Sequence, residues 1–334
     1  MAEMKQLPLG ELSGCNILVT GGTGLIGSCL IDNLMLNSKK DYQVFAIGRN
    51  QNRANSRFNR FKDDPTFHFL LGDVTEPLRC DTPFHYIIHA ASNGSPNFFV
   101  NNPVEVMKSN IYGVSNLIEY GIRHDMKRFL YVSTGEVYGI NESMVLDEKS
   151  YGYVDILSTR SCYPSSKRAA ETLAMCYASE YGADVVVARP CHTYGPHFTE
   201  SDNRVYAQFI RNVINSQDIV MKSAGTQYRS WCYVEDCVNA MLYILLKGES
   251  GEAYNIADKN SVVTIRELAE MIARIAGRKV VMQLPSDYEK TEFTPINRAV
   301  FDTTKIESLG WTISGTMEEK LRKTIEKCLT HGIL

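Results

Sequence analysis

The chain has 334 residues, 44% of them hydrophobic, and its 35 basic and 38 acidic residues give a formal net charge of -3. Such a balance gives no basic surface for nucleic acid or for a membrane, and no apolar run approaches the ~20 residues that span a bilayer. Nine cysteines without a Cys-x-x-Cys pair, together with residues 1–14 that lack a signal-peptide pattern, predict a reduced cytoplasmic protein without disulfides or a metal site.

The first two-thirds of the chain alternate short β-branched runs with longer helical periods, which is typical of a parallel sheet wound by helices. Sequential βα units connect right-handedly and bring ligands to the carboxyl ends of the strands. The predicted strands are Asn16–Thr20, Gln43–Ile47, Thr66–Leu71, Tyr86–Ala90, Phe129–Ser133 and Asp184–Ala188, and the predicted helices are Leu25–Leu36, Val104–His124 and Ser165–Tyr181.

After Arg189-Pro190 the alternation stops, which indicates a second lobe. We therefore predict an α/β fold, a doubly wound parallel sheet of the Rossmann type with a smaller α/β substrate lobe. Residues 14–190 and about 229–258 form the dinucleotide-binding part, and about 191–228 and 259–334 form the lobe. Later predicted elements are helices at Val205–Ser216, at Val234–Leu246, after a Thr264/Glu267 capping box and from about Met317, with strands at Ala253–Ile256 and Lys279–Leu284.

A glycine-rich turn directly follows the first predicted strand and opens the first helix. Gly21 permits the tight turn, Gly24 lets a pyrophosphate approach the helix N-terminus, and Gly27 allows close packing of helix on strand. The context predicts dinucleotide binding by a segment that also contains Thr23, Leu25 and Ile26.

The second strand does not end in the acidic residue that usually binds the ribose hydroxyls of NAD. Arg49 stands there instead and can accept a 2′-phosphate, with Arg53 as a helper, which favours NADP over NAD. Arg49 can also stack on adenine or face solvent. Asp73 and Val74, after the third strand, are placed for the adenine edge, although an aspartate there is often only a turn cap.

Tyr163 and Lys167 stand four residues apart in a predicted helix, so that both side chains lie on one face. An ammonium beside a phenol favours the phenolate, and we therefore expect Lys167 to lower the pKa of Tyr163. The tyrosine then becomes a base for a substrate alcohol near neutral pH.

These motifs together resemble the extended short-chain dehydrogenase/reductases, in the NAD-dependent epimerase/dehydratase group that acts on nucleotide sugars. The resemblance implies that Thr134 hydrogen-bonds the sugar 4-hydroxyl, Tyr163 removes its proton, and Lys167 holds the nicotinamide ribose. It further implies cofactor contacts from the residues after the fourth strand, and homodimers built from the Val104–His124 and Ser165–Tyr181 helices. Its motifs are the glycine turn, His89-Ala90-Ala91-Ser92, Ser133 to Gly139, Tyr163-x-x-x-Lys167, Arg189 to Pro196, Tyr233 to Asp236 and Leu309-Gly310-Trp311.

Within this group, Arg160 three residues before the tyrosine and the run Thr134-Gly135-Glu136 look most like UDP-glucuronate decarboxylases, which give UDP-xylose. A ketone β to a carboxylate is an electron sink, so carbon dioxide loss after C4 oxidation needs little beyond orientation and enolate stabilisation. The resemblance places Glu136 and Arg229 at the reacting centre. It gives substrate contacts to Ser95, Arg160, His192, Arg204 and Arg298, the last two toward the nucleotide or its phosphates.

Two departures from that pattern keep alternatives open. Gly135 replaces a serine of the decarboxylases and an acid of the 4,6-dehydratases, and His192 replaces an asparagine. Without the acid, a dehydratase lacks its proton donor, whereas a 4-epimerase has no use for Glu136. An NADP-dependent keto-sugar reductase fits Arg49, and a non-enzymatic NADP sensor does not fit the retained Thr134, Tyr163 and Lys167.

Overall fold

The computed structural model describes residues 9–283 and 297–331. Its strands are β1 (Asn16–Thr20), β2 (Gln43–Gly48), β3 (Phe67–Leu71), β4 (Tyr86–His89), β5 (Arg128–Val132), β6 (Val185–Pro190), β7 (His192–Tyr194), β8 (Ile219–Met221), β9 (Tyr228–Tyr233), β10 (Ala253–Ile256), β11 (Asp258–Thr264), β12 (Val280–Met282) and β13 (Arg298–Ala299). Its helices are α1 (Leu25–Met35), α2 (Gln51–Phe58), α3 (Pro96–Asn101), α4 (Pro103–Arg123), α5 (Cys162–Tyr181), α6 (Val205–Ile214), α7 (Val234–Lys247), α8 (Ile265–Ala276), α9 (Thr304–Ser308) and α10 (Met317–His331).

Seven parallel strands form the main sheet in the order β3-β2-β1-β4-β5-β6-β10. The strand order reverses between β1 and β4, which opens a crevice at the carboxyl edge of the sheet. Both faces are covered. Ile17 and Val19 point into the core layer that contains α1 and α7, whereas Leu18 points into the layer of α4 and α5. Burial on both faces explains why these strands read as continuous apolar runs.

The remaining strands form a smaller lobe beyond the carboxyl edge. Strand β9 pairs with β7, β11 and β13, and β8 pairs with β12. Helices α6 and α8 pack against these strands, and α10 packs against both helices. The predicted fold class, a doubly wound parallel sheet with a second α/β lobe, is confirmed. None of the helices in 9–283 and 297–331 is long and apolar enough to cross a bilayer.

Most predicted elements are present with ends shifted by one to three residues, and the predicted capping box forms, with Glu267 N–H donating to Thr264 Oγ1 at 3.1 Å. The strand predicted over Lys279–Leu284 is the shorter β12, and Leu284 lies outside the described residues. The sequence analysis missed α2, α3, α9, β7, β8, β9, β11 and β13. Helix α2 carries almost no apolar stripe, and it begins where the Asn50 side chain accepts the Arg53 N–H at 2.9 Å.

Candidate active site

The glycine turn between β1 and α1 has the shape that a pyrophosphate requires. Gly21 has φ of 67°, and a Cβ on it would lie 2.7 Å from the Ala90 carbonyl oxygen. A Cβ on Gly27 would overlap the main chain of Gly21. No side chain of the described residues caps α1 at Gly24, so the first N–H groups of the helix face the crevice. Thr23, Leu25 and Ile26 complete this turn and the start of the helix.

The segment after β4 forms the opposite wall of the crevice. Ala91 N–H donates to Thr20 Oγ1 at 3.0 Å, which ties this segment to the end of β1. Ser92 Oγ and Ser133 Oγ are buried and find no partner within the described part of the chain. Two orphaned hydroxyls beside an uncapped helix fit the polar groups of a nicotinamide dinucleotide.

Arg49 lies between two carboxylates. Its Nη1 is 2.7 Å from Glu105 Oε1 and 3.6 Å from Asp73 Oδ2. Asp73 is also a turn cap, because its Oδ1 accepts the N–H and the hydroxyl of Thr75, both at 2.9 Å. Val74 is partly buried against the α4 layer, and its carbonyl accepts the Asn116 side chain. The ribose end of the crevice therefore carries one cation and two anions.

Tyr163 and Lys167 lie on the buried face of α5, as predicted. Thr134 shares a hydrogen bond with the Tyr163 hydroxyl. The Lys167 Nζ donates to the Val132 carbonyl at 2.8 Å and lies 5.8 Å from the centre of the Tyr163 ring. The three side chains thus meet where β5 ends and α5 begins.

The expected acidification of the phenol is wrong for this structure. Burial raises the pKa of Tyr163 to about 12, with the Glu136 charge adding to the rise. Burial also lowers the pKa of Lys167 to about 7, so the lysine is only partly charged near neutral pH and acidifies the phenol less than a fully charged ammonium would. An oxidised nicotinamide bound here would supply a hydride acceptor and a positive charge beside the phenol.

Glu136 and Arg160 form a two-point ion pair next to this group. Arg160 Nη1 and Nη2 each lie 3.2 Å from one carboxylate oxygen of Glu136. The Arg160 guanidinium also lies 4.6 Å from the ring centre of Phe99. Burial lowers the pKa of Arg229 to about 10, and the Glu136 charge opposes that fall. The Glu136 carboxylate therefore pairs with the Arg160 guanidinium, and its charge also acts on Arg229.

The other predicted substrate residues come from the lobe and from the segment after β4. Ser95 Oγ donates to Asn203 Oδ1, and Arg204 Nε bonds Asp202 Oδ1 at 2.9 Å. His192 is exposed to solvent, and its ring centre lies 5.2 Å from that of Trp231. His192 and the cation Arg204, whose charge also acts on Tyr163, line the same region.

Arg298 contacts the rim of this region. Its Nε donates to the Met144 carbonyl at 2.8 Å, and its guanidinium lies 5.0 Å from the ring centre of Tyr228, the neighbour of Arg229. The first contact ties β13 to the loop at residue 144, and the second lies within the sheet of the lobe, between β13 and β9.

Three residues of the region escaped the sequence analysis. Phe99, from α3, stacks on Tyr163 with ring centres 4.6 Å apart. The Phe301 ring fills the volume that a side chain at Gly135 would occupy. Glu105 reaches Arg49 from the first turn of α4. The sequence showed that position 135 has no side chain and that β2 does not end in an acid. It did not show that Phe301 fills the first place or that Glu105 reaches the second.

Known proteins agree with this architecture. A sequence model of the NAD-dependent epimerase/dehydratase family matches residues 17–257. UDP-glucuronic acid decarboxylase 5 of Arabidopsis thaliana is 34% identical, over 92% of this chain and 88% of its own. A solved UDP-glucose 4-epimerase from Thermotoga maritima, with UDP-glucose, is 27% identical with a TM-score of 0.80, covering 93% and 98% of the two chains.

A dTDP-glucose 4,6-dehydratase from Streptomyces venezuelae, solved with NAD, has a TM-score of 0.82 over 95% and 97% of the two chains. At 24% identity this likeness shows the fold alone. The predicted family is confirmed by the family model and by the decarboxylase relative. The chain belongs to the NAD-dependent epimerase/dehydratase family.

Proposed function

We propose that the protein is a UDP-glucuronate decarboxylase that gives UDP-xylose by transient oxidation at C4. The observation that carries the proposal is the group of Glu136, Arg160 and Arg229 beside Tyr163. Two guanidinium groups against one carboxylate leave a positive charge for a uronate. The named decarboxylase relative, 34% identical over most of both chains, supports the same substrate.

The chemistry divides among these side chains as follows. Thr134 holds the sugar 4-hydroxyl and Tyr163 takes its proton, and an oxidised nicotinamide dinucleotide, when bound, would accept the hydride that leaves C4. The C5–carboxylate bond then breaks, its electron pair forms an enolate with the C4 carbonyl, and carbon dioxide leaves. The enolate takes a proton from water at C5, and C4 takes back the hydride while Tyr163 returns the alcohol proton. Arg229 and the Arg160/Glu136 pair orient the carboxylate and stabilise the enolate.

A dehydratase ranks lower because of Gly135. Elimination of water needs an acid for the departing hydroxyl, and general acid help is worth roughly 10²–10⁴ in rate. Phe301 occupies the volume in which that acid would stand. An epimerase ranks lower because it only rotates the 4-keto sugar between oxidation and reduction, and neither step needs a carboxylate such as Glu136.

The deciding experiment is incubation of the purified protein with UDP-glucuronate while carbon dioxide release and UDP-xylose formation are followed. UDP-glucose is the matched substrate, since it differs only by a hydroxymethyl in place of the carboxylate. We expect release from UDP-glucuronate in the presence of NAD or NADP. Conversion of UDP-glucose to UDP-galactose without any carbon dioxide release would assign the protein to the epimerases.

We also propose a homodimer through α4 and α5. The two helices pack against each other, and Val104, Met107 and Tyr112 are exposed along α4. Apolar side chains exposed along one helix suit a second copy of the same helix pair. Light scattering of the purified chain tests this assembly.

For the domain division we propose 14–190 with about 229–258 as the dinucleotide-binding part, and about 191–228 with 259–334 as the sugar lobe. Helix α7 and strand β10 support the second segment of the first part by their packing, but β9 (Tyr228–Tyr233) pairs within the sheet of the lobe, which moves the start of that segment from about 229 to about 234. The proposed compartment is the cytoplasm, and the nine free cysteines support it.

A further inference from the structure

The end of β2 lacks its own carboxylate, but a carboxylate reaches that point from another element. Glu105 lies in the first turn of α4, and its Oε1 is 2.7 Å from Arg49 Nη1. The Asn93 side chain donates to the same oxygen at 3.3 Å and fixes the carboxylate from the segment after β4. Asp73, after β3, adds a second carboxylate at 3.6 Å from Arg49.

These groups meet at the place where a doubly wound sheet receives the adenosine ribose of a dinucleotide. Arg49 follows β2, Asp73 follows β3 and Asn93 follows β4, so all stand at the carboxyl edge next to the glycine turn. One guanidinium and two carboxylates sum to one negative charge. A 2′-phosphate, itself a dianion or close to it, would meet that negative charge, whereas a free 2′-hydroxyl can donate to a carboxylate.

Arg49 is already engaged. Its hydrogen bond to Glu105 raises the pKa of the guanidinium, which therefore stays charged and paired. To bind a 2′-phosphate, Arg49 would have to leave Glu105 and expose that carboxylate to the phosphate. The side chains of Arg49, Glu105 and Asp73 are 55%, 38% and 34% exposed, so water screens the pair and the selectivity it gives is moderate.

We propose that Glu105 determines cofactor choice in this protein, by holding Arg49 and rejecting a 2′-phosphate, so that NAD is preferred to NADP. This inference reverses the NADP preference that Arg49 alone suggested. It rests on nicotinamide dinucleotide binding and is independent of which sugar is the substrate.

The test is equilibrium binding of NAD and of NADP to protein freed of retained nucleotide, measured by calorimetry without any sugar substrate. We expect the wild type to bind NAD more tightly, and Glu105→Gln to shift the ratio of the two dissociation constants toward NADP by ~10-fold, or about 1.4 kcal/mol. Glu119→Gln is the matched control, because Glu119 lies on the same helix, is half exposed and also faces an arginine, Arg123.

Two outcomes would overturn the proposal: a wild type that prefers NADP, or a Glu105→Gln variant whose ratio equals that of the Glu119→Gln control. Because no turnover enters the measurement, failure of the decarboxylase assay leaves this result unaffected. A normal decarboxylase with an unchanged ratio would reject Glu105 as the determinant and leave the enzymatic proposal standing.

Discussion

The hydroxyl of Tyr163 is the single group on which the proposed oxidation depends. The Tyr163 ring stacks on Phe99, and Tyr163→Phe keeps that contact while it removes the base. We expect turnover to fall by roughly 10²–10⁴, the usual contribution of a general base. The free energy of unfolding should change little, which denaturant titration checks. Tyr181→Phe, an exposed tyrosine on the same helix, should keep full activity; wild-type turnover in Tyr163→Phe would remove the tyrosine from the mechanism.

Gly135 and Phe301 form a second residue-scale test, since the ring occupies the place of a side chain at Gly135. Gly135→Ser should lower the free energy of unfolding by about 1–3 kcal/mol, the usual cost of overpacking. Gly135→Ser with Phe301→Leu should recover much of that loss, because the shorter side chain vacates the volume. Gly10→Ser is the control, as no atom of residues 9–283 and 297–331 lies within 4 Å of the Cβ it would add. Equal destabilisation of the single and double variants would refute the compensation.

At this scale, local motifs predicted which residues meet but not their charge state. The glycine turn and the Thr134, Tyr163 and Lys167 group assemble as the sequence implied, because each motif sits at a strand end whose neighbours the βα order dictates. The pKa of Tyr163 moved opposite to the expectation, since it depends on burial by distant segments. The Phe301 contact was likewise invisible, because it joins two parts of the chain far apart in sequence.

At the scale of elements, long periodic segments were predictable and short ones were not. Helix α4 and strand β6 carry strong apolar patterns, whereas α3 is only six residues long and begins with a proline, Pro96. Strand β9 was missed because its aromatic sequence resembles that of a loop. It forms a strand by pairing with β7, β11 and β13, which are distant in sequence. Of the missed elements, α3, β7 and β9 carry residues of the proposed sugar site, where fit to a ligand as well as core packing governs the sequence.

Helix α3 gives the element-scale prediction through Phe99, which touches both Tyr163 and Arg160. We regard Phe99 as a positioning residue. Phe99→Leu should lower kcat ~10-fold or more, because small misplacements of a reacting group are costly. The acid limb of the kcat pH profile should move to lower pH, since water reaching the phenol relieves the desolvation that raises its pKa. Phe98→Leu is the control.

The pH profile distinguishes positioning from simple packing. If Phe99→Leu lowered thermal stability while kcat and the acid limb stayed at their wild-type values, Phe99 would be a core residue only. Retention of the wild-type KM together with a reduced kcat would place the effect on the reacting groups and not on nucleotide binding.

At the scale of the whole molecule, stability in acid depends on histidines that fold in the neutral state. Burial and, as a smaller contribution, the charge of Lys167 lower the pKa of His89 to about 3. His197 is shifted the same way, to about 4, mainly by burial. Because these pKa values are lower in the folded protein than in the unfolded chain, the unfolded chain binds the protons at a higher pH as the solution is acidified. Stability is therefore fully present above about pH 6.5 and is lost as the pH falls toward the folded values.

His89 allows the contribution of a single histidine to be tested, because it is 1% exposed and its Nδ1 lies 2.7 Å from Thr20 Oγ1. Between pH 7.5 and 5 the wild type should lose ~2 kcal/mol of unfolding free energy through this residue alone. His89→Gln cannot titrate there, so its loss over the same interval should be smaller by that amount, even if the variant is less stable at pH 7.5. Denaturant titrations at both pH values measure the difference, with His124→Gln as the control. Identical losses in the wild type and His89→Gln would mean that His89 does not contribute to the acid sensitivity of the fold.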